Sequence, residues 1–190
     1  MSAALRTTVV AVHRDAEHRF SKQLEDCIEL EEGLGVVGDA HHGLTARHRS
    51  RAKADPFQPN LRQVHLISDS LFAHLAGLGF DVAAGELGEN VTLASAPGLE
   101  WDALVALPVG TRLHFAQGPV VELTGLRNPC AQLDRFHKGL LAAMLDKDAA
   151  GRVRRKAGVM GVVRAGGPIG GGDAVRVRLP RAPHRAMECV

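Results

Sequence analysis

Cys130 ends the segment Thr124-Gly125-Leu126-Arg127-Asn128-Pro129-Cys130, directly after the strand-like run Val120-Val121-Glu122-Leu123. Pro129 removes a backbone donor and ends a strand, so the thiol is presented at a strand end beside the Arg127 guanidinium. A neighbouring cation favours thiolate over thiol, and thiolate is the form that attacks electrophiles or binds soft metals. A helix beginning at Ala131 or Gln132 would turn its free backbone donors toward the sulfur and add to that preference. The competing reading is a small buried hydrophobe, the commoner fate of a free cysteine. Cys27 lies in a polar segment and Cys189 is the penultimate residue, so neither presents itself in the same way.

A second stretch, Gly85-Glu86-Leu87-Gly88-Glu89-Asn90-Val91-Thr92-Leu93, sets acidic and amide groups between two glycines and then begins to alternate. Glycine allows close approach of a ligand to the backbone, and Asn90 and Thr92 offer donors and acceptors suited to a polar heterocycle or a phosphate. A turn whose polar side chains bond local backbone would give the same pattern. A third stretch joins Gly38-Asp39-Ala40-His41-His42-Gly43 to Arg47-His48-Arg49-Ser50-Arg51. Arginine pairs with phosphate oxygens in a bidentate way, though a solvated basic loop reads alike. Adjacent histidines on a strand point to opposite faces, and no Cys-x-x-Cys or His-x-x-x-His accompanies them, which argues against structural zinc.

Taken in order, Gly38-Asp39-x-His41-His42-Gly43, Val64-His65-Leu66-Ile67, Gly88-Glu89-Asn90-Val91-Thr92, Arg127-Asn128-Pro129-Cys130 and Gly172-Asp173-x-Val175-x-Val177 resemble the MOSC domain. That is the C-terminal domain of molybdenum cofactor sulfurases, and the chain looks like its short stand-alone bacterial type. The resemblance runs from about Val9 to Leu179 and implies a mainly β fold with a few helices, a MOSC-type β-barrel of the pyruvate kinase β-barrel-like kind. It implies molybdenum cofactor (molybdopterin), with Cys130 as catalytic residue and molybdenum ligand. Asn90, Glu89 and Thr92 would then meet the pterin or its phosphate, and Arg127 and Asn128 would flank the thiol. His41, His42, Arg49 and Lys156 are further cofactor-binding candidates.

Three activities are compatible with the resemblance. One is oxidoreduction of N-hydroxylated compounds with electrons from a separate electron-transfer protein, since neither an N-terminal β-barrel subdomain nor an iron–sulfur domain accompanies the segment. Another is sulfur carriage through a Cys130 persulfide supplied by a desulfurase. The last is non-enzymatic cofactor delivery. Pyridoxal phosphate belongs to the desulfurase domain of the fused enzymes; nothing here marks a Schiff-base lysine, and it is not expected.

Composition bounds these readings. A chain of 190 residues with 45% hydrophobic and 23% charged residues can bury one substantial core, expected as a single domain over residues 1–180 with a flexible tail at 181–190. A formal charge of +2 and 4% aromatics argue against nucleic acid as a partner. An odd, scattered set of 3 cysteines argues against a disulfide framework and suits a reducing cytoplasm. The apolar run Thr8–Val12 is too short for a signal segment, and no stretch is long enough to span a membrane. Serine and zinc hydrolase motifs are missing, although a Cys–His pair drawing on His41, His42 or His65 is a further reading.

The elements that must hold these residues are mostly short strands. Alternation predicts strands at Thr7–His13, Gln63–Ile67, Glu89–Ala94, Thr111–Phe115, Val120–Thr124, Val159–Arg164 and Ala174–Leu179. Ile28–Asp39 reads as one strand bent at its glycines, and Ser21–Glu25 as a helical turn. Ser68 is placed to cap a helix from Asp69 to about Ala76, and Gln132–Lys138 and Leu140–Asp146 carry helical periodicity. Residues 40–60 form a long polar loop. Ser95–Trp101 looks like a short insertion, and Gly166–Gly172 like a hairpin connection. Closely spaced, turn-marked strands favour a barrel or sandwich.

Overall fold

The computed structural model of the chain describes residues 5–46, 55 and 57–190. In chain order its elements are β1 Arg6–Arg14, β2 Gln23–Glu25, β3 Cys27–Glu31, β4 Gly35–Val36, β5 Val64–Ser68, α1 Ser70–Gly77, β6 Val91–Leu93 and α2 Trp101–Ala106. They continue with β7 Arg112–Phe115, β8 Val120–Leu126, α3 Gln132–Phe136, α4 Leu140–Ala143, β9 Leu145–Lys147, β10 Val153–Arg155, β11 Val159–Ala165, β12 Gly167–Gly170 and β13 Ala174–Arg178.

The main sheet runs β13-β7-β8-β11-β5-β6-β1-β2, and β13 also pairs with β1, so the sheet closes on itself as a barrel of 7 strands with β2 hanging from its seam. All neighbours are antiparallel except β5 and β6, which run parallel and are linked through α1. The alternation that predicts β8 and β13 matches their burial, with every second residue inside. Val9, Leu66, Val91, Leu113, Leu123 and Val175 fill the barrel. A smaller sheet, β12-β3-β4, lies beside it.

A second apolar cluster sits outside the barrel and holds α1, α3 and α4. Leu71 and Leu75 of α1 pack with Leu87, Leu133, Leu140 and Met144. Each fully buried leucine contributes roughly 2 kcal/mol. Leu133 belongs to α3, so this cluster also fixes the turn that follows Cys130. No helix among the described residues is long and apolar enough to cross a membrane.

Several expectations change. Gln23–Glu25 is a strand paired with Val12–Arg14, because an available sheet edge outweighs weak local helix preference. Ile28–Asp39 is two strands folded back on each other, with Glu31 opposite Gly35 across a turn in which Gly33 has φ 73°. Ser68 does not cap α1: its hydroxyl meets Ser70 Oγ at 3.0 Å and the helix starts two residues later. Leu140–Asp146 leaves helix after Ala143, since Leu145–Lys147 pairs with Val153–Arg155. Ser95–Trp101 leads into a helix, α2, that local sequence did not reveal. Gly167–Gly170 is a strand on β3 rather than a bare connection.

The C-terminal residues, expected as a flexible tail, lie along β8. Leu126 N donates to Glu188 O at 2.8 Å, Pro108 bridges to Ala186, and Met187 is buried. A backbone edge left open at the end of β8 is satisfied by this segment.

Candidate functional site

A cavity of about 620 Å³ opens where β1 and β8 end and β6 begins. Its wall includes His18, Arg19, Phe20 and Lys22 after β1, His41, Arg62 and His65, Gly88 and Asn90 before β6, Arg127–Gln132 except Pro129, Arg135, and Met160 of β11. None of these lining residues is Asp or Glu, whereas five are Lys or Arg. The local field is therefore positive, and the cavity suits an anion.

Cys130 is half-buried, and its thiol donates to Gln132 Oε1 at 3.5 Å. Helix α3 begins at Gln132 with Ala131 flanking it, and Leu133 N donates to Cys130 O at 3.0 Å. Arg127 is the more unusual neighbour. It is buried, its guanidinium lies 5.7 Å over the Phe20 ring, and its Nη1 has no hydrogen-bond partner among the described residues. Burial works against the guanidinium's charge, and the neighbouring Cys130 and Glu89 side chains work for it. A buried donor without a partner costs about 1–3 kcal/mol, more when charged, so this group is set for an acceptor entering the cavity.

Arg127 is held there by backbone pairing, its N donating to Gly158 O at 3.1 Å. Gly158 has φ +84°, and a Cβ there would come within 2.7 Å of Ile67 Cγ1, so only glycine lets β11 approach β5 this closely. Gly88 does the same on the other wall: a Cβ would sit 2.5 Å from Phe20 O, so glycine admits the His18–Phe20 segment.

Beneath the wall lies a buried polar network centred on Asp39. Its carboxylate accepts from Lys22 Nζ at 2.5 Å, His41 N at 2.9 Å, His41 Nδ1 at 3.1 Å and Asn90 Nδ2 at 3.0 Å. Burial pushes the Asp39 pKa up, but His41 and Lys22 outweigh it and hold the carboxyl well below the usual range. Burial lowers the pKa of Lys22 despite Asp39, and that of His41 likewise. His65 donates from Nε2 to Ala157 O at 2.7 Å. Its pKa falls well below the ordinary value through burial and then Arg127, with the Ala157 and Gly88 carbonyls opposing. The imidazole is therefore neutral at pH 7.

The residues singled out in the sequence divide by location. Cys130, Arg127, Asn128, Asn90 and His41 meet at the cavity. Asn90 is also a strut, since its Oδ1 accepts from His65 N at 3.1 Å and its amide donates to His13 O at 3.1 Å. Glu89 and Thr92 are buried and do not line it; Thr92 Oγ1 donates to Glu89 Oε1 at 3.2 Å, and burial raises the Glu89 pKa. His42 pairs with Glu31 at 2.9 Å, away from the wall. Lys156 turns instead to His74 Nε2 at 3.2 Å and the Trp101 ring at 5.5 Å. Arg49 lies outside the described residues. Lys22, Phe20, Arg62 and Arg135 were not marked by the sequence. Nothing local identifies Lys22, because its place depends on Asp39, 17 residues later.

Comparison with known proteins agrees with this architecture. A family model for the MOSC domain matches residues 41–176. The YuaD protein from Bacillus subtilis is similar in structure, with a TM-score of 0.75 and 21% identity over 95% of this chain and 100% of that one. YiiM from Escherichia coli superposes with a TM-score of 0.61 at 16% identity, covering 96% of this chain and 74% of that one. YiiM from Geobacillus stearothermophilus gives 0.54 at 17% identity, with 90% and 73% covered. At such identities these likenesses speak for the fold alone. No curated protein matches the chain in sequence. With the family match spanning most of the barrel and the Cys130 segment, the chain belongs to the MOSC domain family.

Proposed function

We propose that the cavity binds molybdenum cofactor, with Cys130 as the protein's ligand to molybdenum, and that the protein takes part in reducing N-hydroxylated compounds with electrons from a separate protein. The MOSC domain family is linked to this cofactor. The observation that carries the reading is the buried, unpartnered Nη1 of Arg127 beside Cys130, in a cavity without an acidic lining residue.

The residues present fit the group. An anionic pterin phosphate finds cations on several sides of the wall, and a soft metal finds one thiol. Among the described residues no cluster of three His, Cys, Asp or Glu is arranged to hold a metal ion, so a metal here would arrive with ligands of its own. When bound, molybdenum would supply the redox chemistry, and the protein's part is to bind and orient. Arg127 would neutralise the anion and Asn90 and Asn128 would bond its polar edges. Phe20 offers an apolar face, and Lys22 and His41, fixed by Asp39, hold protons at the wall.

A second reading is sulfur carriage through a Cys130 persulfide with a desulfurase as donor. It is favoured by the partial exposure of the thiol, which leaves it open to a partner's sulfur. Molybdenum and pterin content, measured in protein from a host that makes the cofactor, separates the two. Stoichiometric metal that disappears in Cys130→Ala supports ligation. Metal-free protein from a host that loads other molybdoenzymes rejects it, and labile sulfane sulfur on Cys130 would then support carriage.

A further inference from the structure

A second hollow, of about 170 Å³, lies where β1 and β13 begin and β7 ends. It is lined by Arg6, Thr7, His114, Phe115, Val175 and Arg176 among others. Strand register explains why these meet. Arg6 of β1 stands directly opposite Arg176 of β13, and Arg176 stands directly opposite His114 of β7. In the next outward row Arg178 faces Arg112.

Like charges placed opposite each other across strands destabilise the pair. Among the described residues no carboxylate pairs with Arg6 or Arg176. Arg6, Arg176 and Arg178 are exposed, and none is in an ion pair among the described residues. The nearby Glu122 is already taken by Arg112 and Arg164, each at 2.8 Å. The positive field is felt by His114, whose pKa is lowered by burial and then by Arg178, Arg176 and Arg112. So strong a local excess contrasts with a whole-chain charge of only +2.

We propose that Arg6, Arg176 and His114 form a phosphate-binding site on the outside of the barrel, separate from the Cys130 cavity. Two arginines opposite each other on adjacent strands of one hollow can each meet phosphate oxygens in a bidentate way, which single ammonium groups would not. The hollow has room for a phosphate group but is well below the roughly 300–1,000 Å³ of sites that enclose whole drug-sized ligands. The remainder of a phosphate ester would lie in solvent.

The test is an NMR titration of the intact chain with inorganic phosphate, and separately with adenosine monophosphate, chloride being used to hold ionic strength constant. Saturable shifts are expected in the His114 ring and the Arg6 and Arg176 Nε–H groups. They should persist in Arg127→Met, which alters only the other cavity. Arg6→Gln and Arg176→Gln should each weaken binding about tenfold, equivalent to about 1.4 kcal/mol. Tighter binding of the monophosphate than of phosphate would identify an ester as the ligand, and equal binding would identify the free anion. Absence of saturable shifts with either probe, or shifts that survive when Arg6→Gln and Arg176→Gln are combined, would overturn the site.

Discussion

Lys22 Nζ lies 2.5 Å from Asp39 Oδ2, with side-chain exposures of 5% and 1%, so a full ion pair is buried at the cavity wall. Such a pair is weak evidence of net stability, because desolvation offsets much of the attraction. Removing one partner is another matter. Asp39→Asn leaves the buried Lys22 ammonium without its nearest counter-charge and should cost about 3 kcal/mol or more. Lys22→Met should cost less, since the carboxylate keeps His41 and Asn90 as donors. Urea unfolding of the two variants checks this; an Asp39→Asn protein as stable as wild type would contradict it.

Acid sensitivity follows from His13. This histidine is buried, and burial together with Lys22 brings its pKa down to about 4. An unfolded chain binds that proton from about pH 6.5 downward, while the folded chain refuses it until about pH 4. Stability is therefore lost as pH falls through this window, by about 2 kcal/mol at pH 5 and about 3 kcal/mol in full. His65, also held neutral by burial, acts in the same direction. Denaturation midpoints at pH 7 and pH 5 should differ more for wild type than for His13→Gln; parallel behaviour would assign the acid loss to other groups.

What the sequence could reveal was set by how local each signal is. Strands β8 and β13 alternate with period two, and Pro129 marks where β8 must stop, so these strands and the position of Cys130 could be read directly, while the choice of barrel over sandwich came from the family resemblance. The Asp39 network could not. Lys22 and Asn90 reach the Asp39–His41 turn from segments 17 and 51 residues away from Asp39, and only the folded sheet brings the three segments together. For the same reason Glu89 and Thr92 looked like ligands: their polarity is visible in the sequence, but their burial is a property of the closed sheet. Lys156, beside a glycine and next to a basic run, gave no hint that Trp101 and His74 would claim it.

Arg127 separates binding from folding. Its buried guanidinium lacks a partner at Nη1, so its contribution to stability is small or negative. Arg127→Met keeps the length and the contact with Phe20 while removing the charge. Thermal stability should stay level or rise, whereas molybdenum and pterin content should fall by about tenfold or more, the loss of one charge-assisted bond. Arg127→Lys should recover only part of the binding, because an ammonium cannot form the planar fork. Equal cofactor content in Arg127→Met and wild type would remove Arg127 from the binding site.

The C-terminal segment makes the last prediction, and it concerns both stability and the thiol. Met187 is buried against the barrel core, Leu126 exchanges backbone bonds with Glu188 and Val190, and Arg62 Nη1 donates to Val190 O. Cys189 Sγ lies 3.7 Å from Asn128 Oδ1, two residues before Cys130. Removing residues 186–190 exposes the end of β8 and the apolar surface under Met187, and should cost about 2–3 kcal/mol. Because β8 leads straight into the Arg127–Cys130 segment, the same deletion should loosen the thiol's surroundings and speed its alkylation. Met187→Ala tests the packing part alone and should lower stability without changing the alkylation rate as much. A truncated protein with unchanged stability and unchanged alkylation of Cys130 would show that the segment merely rests on the barrel.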